Sequence, residues 1–144
     1  MTQSMFRLAY ISRNLGVWDQ QELDGILRTS RRNNAAVEVT GALLFNERCF
    51  AQVLEGPLGA VSATFERVQF DDRHGDVTVL LSENDVPRRF GDWAMGYIGE
   101  DAEAQTRFAT MRFDALRAGP DQAGRDLLSL MDGAATRFSV LTYS

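Results

Sequence analysis

The 144-residue sequence predicts one α+β domain, an antiparallel sheet with two helices on one face and further helices on the other. Three observations carry this. Short stretches of alternating, β-branched residues are separated by two stretches of helical periodicity, in the order β-α-β-β-α-β. That order is the ferredoxin-like split pattern, in which both helices cross the same face of one sheet. A fifth short strand and a C-terminal region with leucines at helical spacing follow, and the open sheet face needs a cover.

Residues 5–12 (MFRLAYIS) are apolar, short enough for a strand, and stopped by RNLG. Trp18, Leu23, Ile26 and Leu27 then recur at helical spacing, with Asp19 placed as an N-cap, and the helix runs to the RRNN stretch. Residues 37–45 (VEVTGALLF) alternate and read as a strand. The polar turn NER (46–48) joins it to CFAQVLE, completing a hairpin. Gly56-Pro57 opens a second helix whose apolar stripe is Leu58, Val61, Phe65 and Val68. Residues 76–84 (DVTVLLSEN) and 93–99 (WAMGYIG) are the last strands. Beyond them, one helix ends at Gly119-Pro120 and a second near Gly133. Phe108, Met111, Leu116, Leu127, Leu128, Leu130 and Met131 are their apolar positions, expected to cap the sheet or to mediate self-association.

Composition narrows the function classes. The chain is 44% hydrophobic and 24% charged, ordinary for a globular domain. A net charge of −5 argues against nucleic-acid binding, which needs a surplus of Lys and Arg. The single cysteine, Cys49, excludes an internal disulfide and points to a reducing, cytoplasmic setting. With one His and one Cys, the usual zinc sets are absent. The N-terminus has no signal-peptide core, and no apolar run approaches the roughly 20 residues a membrane helix needs.

Several polar side chains fall on faces that should be buried. Phe50, Gln52 and Leu54 share one face of their strand, as do Phe6, Leu8, Tyr10 and Ser12 of theirs. Burying an amide without partners costs on the order of 1–3 kcal/mol. The fold makes these two strands neighbours, so Tyr10 and Gln52 can form a phenol–amide hydrogen bond. Trp93, Met95 and Tyr97 share a face of the fifth strand, and Asn33-Asn34 close the first helix. Each has an ordinary structural reading: a core tyrosine with a wet tip, a glutamine bonded to backbone or water, an Asn C-cap.

Taken together, RLAYIS (7–12), SRRNNAAVEVTGALLF (30–45), CFAQVLEG (49–56), DDRH (71–74) and RRFGDWAMGY (88–97) resemble the BLUF family, sensors of blue light using FAD. The resemblance covers about residues 5–99. Glu38 stands where the family often has Gly, on what the strand assignment makes an exposed edge, and the hairpin tip ERC is bulkier than usual. The resemblance implies a photosensor domain over 1–100 and a helical extension over 101–144. It implies that Tyr10 donates an electron and proton to photoexcited FAD, and that Gln52 changes its hydrogen bonds between Tyr10 and the flavin. Asn34 would hold the flavin's C4=O/N3 edge with Asn33 in support, and Arg73 its C2=O side with Asp71 and His74 around it. Ser12, Trp93 and Met95 would form a surrounding layer, with Trp93 or Met95 able to swap beside Gln52. For His74, capping the second helix is the competing reading.

The expected function is therefore a cytoplasmic blue-light photoreceptor, not an enzyme. No output domain fits in the roughly 45 residues after the core, so the expected output is altered binding to a separate effector protein, or a change in homo-oligomeric state, with no nucleic acid or membrane partner. The alternatives are a flavin-dependent redox enzyme and a cofactor-free ferredoxin-like regulatory module. Turnover of an added acceptor would mark the first, and a colourless purified protein the second.

Overall fold

The computed structural model describes residues 5–16, 19–46, 48–90, 96–97, 108 and 119–143. The first strand, β1 (Phe6–Asn14), sorts its side chains by alternation: Leu8 and Tyr10 join one core, Ala9 and Ile11 the other. Helix α1 (Gln20–Ala36) starts as expected, with the Asp19 carboxylate accepting the Glu22 N–H at 2.8 Å. That bond satisfies one of the amides a helix start leaves unpaired.

The end of α1 corrects the expected 37–45 strand. Val39 N–H bonds Asn34 C=O at 2.9 Å and Glu38 N–H bonds Ala35 C=O at 3.5 Å, the paired closure of a Schellman motif. Glu38 is the left-handed residue of that closure, with φ +61°. It is a helix stop rather than a strand edge, and a side chain there costs roughly 1–2 kcal/mol that glycine avoids. The strand β2 consequently begins at Thr40 (Thr40–Phe45).

A turn built on Asn46, whose Oδ1 accepts from the Arg48 and Cys49 amides at 2.8 and 2.9 Å, leads into β3 (Cys49–Gly56). Gly41 lies where β2 crosses β3: a Cβ there would sit 1.9 Å from the Val53 carbonyl oxygen. Helix α2 (Leu58–Gln69) follows Pro57, and β4 runs over His74–Glu83, two residues earlier at its start than expected. His74 thus opens a strand and does not cap α2. Gly96 and Tyr97 form β5, pairing in parallel with Ala42 and Leu43, while the rest of the expected 93–99 strand lies outside the described residues.

The sheet order is β4-β1-β3-β2-β5, its first four strands antiparallel, as the ferredoxin-like pattern requires. Leu23 and Leu27 of α1 and Val61 of α2 pack on one face against Leu8, Leu43 and Leu54. Helix α3 (Pro120–Tyr143) covers the other, placing Leu127, Leu128, Leu130 and Met131 against Ala9, Ile11, Ala51 and Val53. Gly124 permits the approach, since its Cβ would lie 2.9 Å from Leu81 Cβ on β4.

Contrary to the expected stop near Gly133, α3 continues to Tyr143. An interior glycine weakens a helix by about 1 kcal/mol but ends it only when the backbone turns left-handed. The expected preceding helix lies outside the described residues except for Phe108, which is helical and buried in the α3 core. Among the described residues, no helix is long and apolar enough to cross a membrane.

Candidate functional site

Between the sheet and the two helices on its face lies a cavity of about 250 Å³. Its floor is Tyr10 of β1, Leu43 of β2, and Phe50 and Gln52 of β3. Gly25, Ile26, Thr29, Ser30, Asn33 and Asn34 wall it from α1, and Thr64, Arg67 and Val68 from α2. Asp71, Arg73 and His74 close it from the α2–β4 connection. The floor is buried and the Thr29, Arg67 and Arg73 side is exposed, so the cavity grades from dry to wet.

Antiparallel register places Tyr10 opposite Gln52, and the Tyr10 hydroxyl donates to Gln52 Oε1. The amide on the apolar face therefore has a partner inside the sheet. Tyr10 is 1% exposed, and its ring lies 5.2 Å from that of Phe65. Burial, reinforced by the charge of Asp71, pushes the phenol well above its ordinary pKa. The proton is thus held on the tyrosine oxygen at neutral pH.

Asn34 is buried in the last turn of α1, and its backbone carbonyl accepts the wider-spanning of the two Schellman bonds, from Val39 N–H, as well as the Val37 N–H. It is part of the helix rather than the left-handed cap, so its side chain reaches the cavity. Asn33 lines the cavity beside it. Asp71 grips Arg73 through Nε at 2.9 and 3.1 Å and also accepts from its Nη2. That hydrogen bonding holds the Asp71 carboxyl below the usual carboxylate range.

Ser12 is fully buried, and its Oγ lies 2.7 Å from His74 Nδ1. The imidazole packs against Phe50 at a tilt of 48°, with ring centroids 4.4 Å apart. Burial lowers the His74 pKa below the ordinary 6.5; Asp71 opposes the shift and Arg73 adds to it. A histidine harder to protonate when folded leaves the unfolded chain holding more protons below pH 6.5, so stability falls as pH drops through that value. His74 is the chain's sole histidine. Its NMR titration should therefore show one midpoint below 6.5, and the urea midpoint should fall between about pH 7 and about pH 5.5. A midpoint at or above 6.5 would overturn the assignment.

The structure brings Tyr10, Gln52, Asn33, Asn34, Asp71, Arg73 and His74 around one cavity, with Ser12 behind His74. Trp93 and Met95 lie outside the described residues. The sequence reading passed over Thr29, Ser30, Thr64 and Arg67 as cavity residues. Their signal was helical spacing: 26, 29, 30, 33 and 34 form one face of α1, and 64, 67 and 68 continue the pattern on α2.

The donor set suits a flavin. Its ring edge alternates acceptor, donor and acceptor, which primary amides can match, and Ile26, Leu43, Phe50 and Val68 supply apolar walls.

Comparison with known proteins points the same way. A family model described as sensors of blue light using FAD matches residues 5–96. A photoactivated adenylate cyclase subunit beta-like protein of Euglena gracilis is 42% identical over 73 residues, 51% of this chain and 8% of that protein. The chain thus spans a small part of that curated relative. The dark-state structure of BlrB, a BLUF protein, superposes with a TM-score of 0.72 at 26% identity, covering 95% of this chain and 99% of that one. Klebsiella pneumoniae BlrP1 with FMN and cyclic diGMP superposes with a TM-score of 0.65 at 27% identity, covering 90% of this chain and 35% of that one.

Proposed function

Because the chain belongs to the BLUF family, sensors of blue light using FAD, we propose that it binds FAD non-covalently in the α1–α2 cavity and signals through Tyr10 and Gln52. The observation that carries this reading is the buried hydrogen bond from the Tyr10 hydroxyl to Gln52 Oε1 at the cavity floor. When bound, the flavin supplies blue-light absorption and takes up an electron. Tyr10 is the oxidisable side chain. Its phenol is too weak an acid to ionise in the dark, so its proton leaves only as the ring loses an electron, along the existing bond to Gln52 Oε1. Gln52 can rotate or exchange donor and acceptor, which makes it a two-state element.

Asn34 and Asn33 would orient the ring edge. Arg73, clamped by Asp71, and Arg67 would present cations towards its carbonyl side or its tail. His74, fixed by Ser12, would wall the site. Phe50, Leu43 and Ile26 supply apolar surface beside the Tyr10–Gln52 pair and, with the ring in place, would limit water there. Trp93 and Met95 are proposed as neighbours of Gln52. We place the sensor over 1–100 and assign 101–144 to output. That output is a change in binding, to a separate effector protein or between copies of the chain.

The test is an absorption spectrum of the purified yellow protein before and after blue light. A small red shift that reverses in the dark is expected. Full bleaching, or no change, would overturn the reading. Releasing the cofactor and separating FAD from FMN tests its identity, and FMN alone would reject FAD.

A further inference from the structure

Strands β1 and β3 carry a second cross-strand pair, Arg7 opposite Glu55, three residues along from Tyr10 opposite Gln52. An odd step reverses the face, so this pair points away from the cavity, to the side that α3 covers. Glu55 is fully buried and Arg7 is 2% exposed. Charges so placed persist only when every site is matched. Glu55 Oε2 accepts from Arg7 Nε at 3.0 Å, and its carboxylate also accepts the Arg89 and Phe90 backbone N–H groups at 3.0 and 2.8 Å. Arg7 donates its remaining nitrogens to Glu83 Oε2 at 3.0 Å and to the Pro87 carbonyl at 2.6 Å.

These bonds join the sheet's centre to α3. Phe90 is buried among the α3 leucines, and the Arg89 guanidinium reaches Asp132 of α3 at 2.8 Å. Apolar layers can slide past one another, whereas charge-assisted hydrogen bonds to backbone amides fix a position. β3 is buried along all eight residues, so a shift at Gln52 has no solvent-side slack before it reaches Glu55.

We propose that Glu55 is a positioning residue that carries the rearrangement at Tyr10–Gln52 through residues 86–90 to α3. The proposal rests on the blue-light reading above and names the route by which that signal leaves the sheet. Its test is hydrogen exchange of the α3 amides in the flavin-loaded chain, dark and illuminated, alongside the absorption shift.

Wild type should show the red shift and a light-induced change in α3 exchange. Glu55→Gln should keep the red shift, while the light-minus-dark difference in α3 falls about fivefold, at the low end of ordinary coupling between sites. Asp132→Asn, on the surface of α3, should keep the fold and the shift and reduce the same difference. A purely structural role would lower stability without separating the optical signal from the α3 response. No red shift in wild type would reject the photoreceptor reading. A wild-type red shift without an α3 response, or a full α3 response in either variant, would overturn the role of Glu55.

Discussion

Tyr10→Phe should fold, retain its flavin and show no light-induced red shift. The ring is held by packing, 1% exposed and 5.2 Å from Phe65, and phenylalanine keeps that volume. Only the hydroxyl is lost, and with it the donor to Gln52 Oε1. Withdrawing one partner from a buried polar group costs about 1–3 kcal/mol, which a domain of this size tolerates. The optical effect is expected to be complete rather than partial, because phenylalanine has neither the easily oxidised phenol nor the proton. Absorption spectra of the variant before and after blue light provide the measurement. A persisting shift would remove Tyr10 from the role of donor and leave Gln52 responding to another group.

The Tyr10–Gln52 pair was legible because two simple periodicities meet there. Alternation put each polar side chain on an apolar face, and the β-α-β-β-α-β order made their strands neighbours; the observed register sets them opposite one another. Asn34 was legible by type but not by mechanism. An Asn near a helix end reads as a cap, yet the left-handed position fell to Glu38, and no glycine in the sequence announces that turn.

Thr29 and Ser30 were hidden because small polar residues on a helix resemble a solvated face until the sheet beneath is in place. Gly133 misled for the opposite reason. Glycine signals a stop only where the backbone reverses, and a helix lying along the back of the sheet can run through it. Arg7 and Glu55 were the least legible. Charges on a strand suggest an exposed edge, and the backbone partners in residues 86–90 that satisfy them in the interior lie some 34 to 80 positions away in sequence.

Arg7→Met should destabilise the chain by about 3–5 kcal/mol, the cost of leaving a fully buried charge without its ion-pair partner. Glu55 would keep the Arg89 and Phe90 amides but lose the only guanidinium that the described contacts bring to it. Glu83, with its side chain 26% exposed, can turn to water and adds little. An isolated buried ion pair is often replaced by two apolar residues without loss. Here Arg7→Met/Glu55→Leu should not return to wild-type stability, because the Arg89 and Phe90 amides would then lose their acceptor at about 1–3 kcal/mol each. Urea unfolding of the two variants and wild type measures both effects, with an unchanged slope confirming that the folded state is the one compared. Arg7→Met within about 1 kcal/mol of wild type would show that Glu55 is compensated elsewhere. A double variant as stable as wild type would show that the two amides find other acceptors. In that event the carboxylate would no longer be what holds residues 86–90 to the sheet.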